Sequence, residues 1–250
     1  MREQYEFRVR QLMKKLTVAA DPGIVEGLSA ELLSQRPTEV LAELLSALGR
    51  MAQEEHARII YTGVVRLCLS ADKVPQPVKE GIYSILAARG EGALARYLLP
   101  VPARREVDET DMPRDLELEQ MTLGMRKWKA RGHARELLMR LSRDRDPAVF
   151  RILLGNPRLT EDDVLAWTAR RPTMPQLQLE VAAHRSWSTR PRIQEALVRN
   201  PYTPTHVAAA FVPLLSSKQL RIVHEDGSLH VLVREAARDV MTLRGRTEEP

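Results

Sequence analysis

Leu-Leu-Gly-Asn-Pro-Arg-Leu-Thr-Glu-Asp-Asp-Val-Leu occupies residues 153–165, and Leu-Val-Arg-Asn-Pro-Tyr-Thr-Pro-Thr-His-Val-Ala-Ala occupies residues 197–209. The two stretches read as one junction used twice, with Asn156-Pro157 and Asn200-Pro201 44 residues apart. Asn tolerates the left-handed conformation that ends a helix, and the following Pro, lacking an N–H, cannot extend it. Thr160 and Thr203 then stand where an N-cap hydroxyl accepts a bond from an orphan N–H. Asp163, three residues past Thr160, completes a capping-box pattern, and Leu159/Val164 and Tyr202/Val207 have the five-residue spacing of a hydrophobic staple. Pro204 suits a first helical position. Thr173, with Gln176 and Leu177 behind it, reads as a further copy of the device.

The segments before the two Asn residues match as well. Val149, Ile152 and Leu153 sit at i, i+3, i+4, and so do Ile193, Ala196 and Leu197. A single apolar stripe on a helix of about ten residues is not stable alone. Neighbouring repeats must cover it, which is the logic of a stacked helical array. The expected fold class is therefore all-α, an α-solenoid of short antiparallel helices.

Composition agrees. Hydrophobic residues make up 44% of the 250-residue chain and Phe, Trp and Tyr only 4%, so Leu, Ala, Val and Ile must fill the core. No run of 18 apolar residues exists, so no membrane span is expected. Residues 1–10 are charged and lack a secretory apolar segment, which points to the cytoplasm. The single Cys68, in an apolar run with Val64, Val65, Leu67 and Leu69, reads as a core residue and excludes an intrachain disulfide. Net charge is +5, unevenly spread. Residues 1–120 hold 16 Lys and Arg against 19 Asp and Glu, a balance of −3; residues 121–250 hold 22 against 14, a balance of +8. Arg outnumbers Lys 31 to 7, a bias that a GC-rich genome also produces.

Along the chain, residues 3–19 read as an amphipathic helix through Tyr5, Val9, Leu12 and Leu16. Asp21-Pro22 opens another, running to Ser34. Leu41, Leu44, Leu45 and Leu48 form the next stripe after Pro37-Thr38. Residues 53–70 form a longer helix that Pro75 and Pro77 end, and residues 78–88 resume it. Gly90 and Gly92 set off a last helical segment to residue 99. Residues 1–99 thus form an N-terminal helical sub-array. Residues 100–115, with three prolines and the acids Glu106, Asp108, Glu109 and Asp111, predict an extended, solvated linker. Residues 116–244 form the C-terminal repeat array, with Asp146-Pro147 capping a helix at 148–155, and residues 245–250 read as a frayed tail.

Residues 146–165, from Asp146-Pro-Ala-Val-Phe-Arg to Asp163-Val-Leu, resemble a leucine-rich repeat variant unit, a short helical repeat related in style to HEAT and armadillo repeats. Residues 190–209 resemble a second copy, and residues 122–241 are similar to bacterial proteins bearing such repeats. The resemblance covers about half the chain and implies the fold. It implies little about function, because such arrays serve many partners. A founding member of the variant family holds a cysteine-ligated iron–sulfur cluster; one cysteine cannot supply that, so no cofactor is expected.

Catalytic motifs are absent: no phosphate-binding Gly-x-x-x-x-Gly-Lys-Ser/Thr, no Gly-x-Ser-x-Gly, no His-Glu-x-x-His. Gly90-Glu91-Gly92 is a helix break. His224, Glu225, Asp226 and His230 could gather as metal ligands around Gly227, but a polar interhelix loop explains them as well. The acidic run lacks the Gly and distal Glu of a calcium loop. The candidate partner-binding residues are the basic run Arg126, Lys127, Lys129, Arg131 and Arg135, with Arg170 and Arg171. Five cations near an aromatic Trp128 could contact phosphates and stack a base, although helical spacing spreads them around the axis and favours packing Trp128 inward. Arg190, Arg192 and Arg199 could extend the stripe. The chain is thus expected to be a non-enzymatic interaction scaffold for an acidic protein partner. The alternative is a HEAT-like nucleic-acid-binding protein using the same basic face.

Overall fold

The computed structural model describes residues 38–69, 73–108 and 112–248, with isolated positions (7, 10, 11, 14 and 27) before them. Apart from those isolated positions, which are helical, the helices expected at 3–19 and 22–34 lie outside the described residues, as do Glu109 and Asp111 of the acidic run. Every regular element among the described residues is helical; the one β-bridge, Ala103 with Pro204, is isolated.

The first helices are α1 (Thr38–Arg50), α2 (Glu55–Leu69) and α3 (Gln76–Ala88), followed by 3-10 turns at Gly92–Leu94 and Arg96–Leu98. The expected stripe is buried: Leu41, Leu44, Leu45 and Leu48 all lie in the core. Pro75 and Pro77 do not interrupt a helix but start one, since Pro75 is the N-cap of α3 and Pro77 sits in its first turn, where no donor is lost. Gly90, at φ 72°, makes the turn after α3.

Ten helices follow among the described residues, all but the last of them short. They are α4 (Leu116–Gln120), α5 (Leu123–Lys129), α6 (Arg135–Leu141), α7 (Pro147–Leu154), α8 (Glu161–Ala169), α9 (Pro175–Ala183), α10 (Pro191–Arg199), α11 (Thr205–Phe211), α12 (Ser217–Glu225) and α13 (Val231–Glu248). Several helices pack on their next-but-one neighbours: α5 on α7, α7 on α9, α8 on α10. Adjacent helices also pack directly, most extensively α12 on α13 and α10 on α11, so each apolar stripe is covered from more than one neighbour. Of the expected stripes, Val149 and Leu153 of α7 and Ile193 and Leu197 of α10 are buried, whereas Ile152 and Ala196 are only half-buried and Phe150 and Val198 are buried beside them.

The caps divide. Asp146 accepts from Ala148 N, with Pro147 at the first helical position. Thr160 and Asp163 form the full capping box on α8. At the second copy, however, α11 begins only at Thr205, with Pro204 as its N-cap, and the Thr203 and Thr205 hydroxyls are buried with no hydrogen-bond partner among the described residues. Thr173 caps nothing; Met174 is the N-cap of α9 and Pro175 starts the helix. The predicted tail is also helical as far as Glu248, because α13 runs on through Gly245 with no proline to stop it.

The Asn residues work differently from expectation. Asn200 is extended, at φ −92° and ψ 115°, not left-handed. Its amide Nδ2 donates to Thr168 O at 2.7 Å and Arg170 O at 2.9 Å, and its Oδ1 accepts from Tyr202 N at 3.1 Å. Asn156 does the same with Ala130 O and Gly132 O, both at 2.8 Å, and Arg158 N at 2.9 Å. Each buried amide hooks the end of its helix to the C-terminal carbonyls of the helix two places earlier. Two other residues make the intervening hooks. Arg170, after α8, donates to Ser142 O at 3.2 Å beyond α6, and Trp187 Nε1, after α9, donates to Leu154 O at 2.8 Å in α7. Carbonyls that helix geometry leaves orphaned are thus satisfied across the stack.

The linker is extended but not free. Arg105 N donates to Pro201 O at 3.1 Å, and Thr205 N to Pro102 O at 3.2 Å. Residues 101–105 form a strap along the second Asn-Pro corner, whose non-helical backbone offers the partners that a proline-rich segment lacks within itself. One hydrophobic cluster runs from Leu41 to Val240. Gln53 Nε2 reaches Pro213 O and Leu215 O at 3.3 Å, tying the two halves together again.

Candidate interaction surface

The basic residues singled out by sequence separate into two groups. Arg126 turns inward to pair with Asp144, which is 3% exposed. Asp144 Oδ1 also accepts from Asp146 N at 2.9 Å, so the pair ties α5 to the turn that starts α7. Arg135 pairs with Asp163, the capping-box carboxylate of α8. Burial raises the Asp163 pKa, but bonds from Arg135 and Thr160 outweigh it and hold the group below the ordinary carboxylate range. Arg170 is half-buried on Ser142, and its guanidinium pKa is lowered by that burial and by Arg143. Arg171 donates to Arg199 O. These four hold helices of the fold together.

Arg171, Arg192 and Arg199 do converge, on a groove of about 280 Å³. Asp162 pairs with Arg192 at 2.8 Å and Glu195 with Arg199 at 3.2 Å, so two of the three cations are matched by carboxylates and Arg171 is spent on the Arg199 carbonyl. A second cleft of about 580 Å³ is lined by Arg114, Arg126 and Arg143 but equally by Asp115, Asp144 and Asp146.

Lys127, Lys129 and Arg131 form the second group, with no ion pair among the described residues. They flank Trp128, which is 71% exposed, against the expectation that it packs inward. The reason lies in the register of α5. Ala130 is fully buried and Arg126 reaches buried Asp144, which fixes one side of the helix against the stack. At 100° per residue, Trp128 and Met125 then fall on the opposite side. Lys127 and Lys129 lie on its two rims. Thr122 caps the helix through Met125 N at 3.3 Å. No residue of α5 is buried. Leu123 and Met125 are exposed as well, as is Leu116 on α4. This clustering of exposed apolar side chains was not legible in sequence, because the neighbours that decide which side faces in are distant.

Searches against protein-family models, curated proteins and solved structures return no match for this chain. The surface must therefore be interpreted from its own chemistry. The loop residues once weighed as metal ligands are engaged locally: Asp226 Oδ1 accepts from Ser228 N and Oγ, His230 Nδ1 from Leu232 N, and His224 Nδ1 lies 3.2 Å from Arg234 O. No helix among the described residues is long and apolar enough to cross a membrane.

Proposed function

We propose that the protein is a non-enzymatic interaction module of solenoid type, akin to leucine-rich repeat variant arrays, and that α5 is its docking helix. Its partner is an acidic protein segment carrying at least one apolar anchor. The observation behind this is the exposed Trp128 with Met125 beside it, rimmed by Lys127 and Lys129. Interface centres are enriched in Trp and Met, and charged residues sit at the rim. Rim cations select acidic partners and speed encounter. The rival occupant, a nucleic acid, needs a run of uncompensated cations for its phosphates. Here Arg126, Arg135, Arg170, Arg192 and Arg199 are matched by carboxylates or carbonyls, which favours the protein partner. Aliphatic Leu123 and Met125 also add nothing to a phosphate contact.

The test uses the full chain and three probes: a synthetic peptide alternating Glu and Leu, poly-glutamate, and single-stranded DNA. Calorimetry is expected to show binding of the first, with poly-glutamate and DNA far weaker. Trp128→Ala should weaken peptide binding roughly 30-fold, as an anchor residue does. Binding of DNA alone, falling steeply with salt, would replace the protein partner by a nucleic acid. Concentration-dependent dimerisation abolished by Trp128→Ala would make the occupant a second copy of the chain.

A further inference from the structure

Gly124 is the second residue of α5, and the fold makes no use of its missing side chain. Other glycines answer to a constraint inside the chain. Gly90 sits at φ 72°. A Cβ at Gly49 would meet Leu94 Cδ2 at 2.8 Å, and one at Gly81 would meet Thr38 Cγ2 at 2.9 Å. Gly124 is helical and exposed. Leaving aside its chain neighbours and its own helix backbone, the one described atom within 4 Å of a Cβ there would be Thr122 Oγ1, at 4.0 Å. A helical glycine lowers stability relative to alanine, because it loses more backbone freedom on folding. Nothing among the described residues offsets that cost, which points to a neighbour from outside the fold.

The position belongs to the docking face. Gly124 and Trp128 stand at i and i+4, one turn apart, and Met125 is three residues before Trp128. Helical side chains lean toward the N-terminus, yet no atom of Trp128 comes within 4 Å of the place a Cβ at 124 would take. The backbone there is an open notch at the foot of the exposed indole. Exposed Met125 and half-exposed Lys127 and Lys129 lie within a turn of it. α5 packs chiefly on α6 and α7, which both follow it in the chain. Its exposed side is where one more helix would continue that packing.

We propose that the partner on this surface is an acidic amphipathic α-helix that crosses α5 over Gly124. The inference rests on the docking reading of α5 and specifies the form of the partner. The side chains at the point of contact set how closely two helices approach, and a glycine there admits the closest approach. With the partner's backbone over the notch, apolar residues at i, i+3 and i+4 cover Met125 and Trp128. Carboxylates on the flanks of that helix meet Lys127 and Lys129. This is the helix-on-apolar-face mode of recognition. An extended segment has less to gain, since it binds by adding a strand to a sheet edge. Every regular element among the described residues is helical, so no such edge is offered.

The experiment uses the full chain and two peptides of identical Glu and Leu content, one with Leu at i, i+3, i+4 and i+7, the other strictly alternating. Calorimetry should show the helical pattern binding roughly tenfold more tightly, and circular dichroism of the mixture should show helix gained on binding. Gly124→Ala should raise Tm by roughly 1–3 °C, alanine being the better helix former, yet weaken the helical peptide several-fold. Gly124→Leu, whose side chain enters open space and leaves the fold intact, should weaken it roughly tenfold or more by holding the two helices apart. Equal affinity for the alternating peptide overturns the helical partner and leaves the docking surface standing. So does undiminished binding by Gly124→Leu while Trp128→Ala still weakens it. Binding of neither peptide by the parent chain overturns both.

Discussion

Asn156 and Asn200 make the same three hydrogen bonds, 44 residues apart: two from the amide to carbonyls at the end of the helix two places back, one from the backbone N–H two residues on to the amide oxygen. The repeat seen in sequence is thus a repeat of a contact between helices rather than of a backbone conformation. One difference separates the two. Thr168 O, which Asn200 serves, also accepts from Gln178 Nε2 at 3.0 Å.

Replacing these residues should therefore cost unequal amounts. Asn156→Ala leaves two carbonyls without their amide donor and is expected to destabilise by about 3 kcal/mol, from the ~1–3 kcal/mol cost of each buried unsatisfied group. Asn200→Ala should cost about 1 kcal/mol less, because Gln178 still serves Thr168 O. Urea denaturation of both variants measures the gap; equal losses would show that the shared acceptor is irrelevant.

The two threonines that looked alike in sequence should also respond differently. Thr160→Ala removes half of a capping box and should cost about 1 kcal/mol. Thr203→Val replaces a buried, unpartnered hydroxyl by a methyl of the same shape and should be neutral or stabilising by up to about 1 kcal/mol. Midpoints from chemical denaturation rank the pair, and a Thr203→Val loss as large as that of Thr160→Ala would contradict the buried environment of Thr203.

Substitution of the docking face should leave the fold intact. Trp128→Ala and the double change Lys127→Glu with Lys129→Glu alter exposed or half-exposed side chains that hold no ion pair among the described residues, so stability should stay within about 0.5 kcal/mol of the parent. Arg126→Glu, by contrast, places a second carboxylate against buried Asp144 and should destabilise by several kcal/mol, of order 3–5 as for a broken buried pair. Far-UV circular dichroism melts check both halves of this contrast.

The acid limb has a defined origin. A hydrogen bond from Arg140, against partial desolvation and with help from Leu118 N, holds the Asp115 carboxyl at about 2. That is below the ordinary ~3.9 of an unfolded Asp. A depressed carboxylate contributes stability that is complete above the unfolded value and lost as pH falls through the folded one. The pin of α4 onto α6 should therefore hold at pH 4 and loosen between about 4 and 2. In Arg140→Met the Asp115 carboxyl should titrate near 4 in an NMR pH series; an unchanged midpoint would assign the shift to something other than Arg140.

What was legible in the sequence follows from the range of the forces involved. The helical class, the stripes of α1, α7 and α10, the Asp146 cap and the Thr160–Asp163 capping box depend on residues within one or two turns, and their spacing is visible along the chain. Thr203 and Thr173 carry the same local letters, yet their hydroxyls went to other surroundings because Pro204 and Pro175 set where their helices begin. The site was less legible. Arg126, Arg135, Arg170 and Arg171 read as a basic face, but their partners lie 18 to 28 residues away, which no local pattern reveals.

The amino-acid order by itself thus set the helical class, several apolar stripes and the starts at Asp146 and Thr160, through hydrogen bonds and apolar periods that close within a few residues. Only the tertiary structure decided which arginines were consumed in stitching helix to helix, and that Trp128 faces solvent. Both depend on Ala130 and Asp144 finding their places in a shared core, and burial is a property of the whole packed chain, not of any one segment.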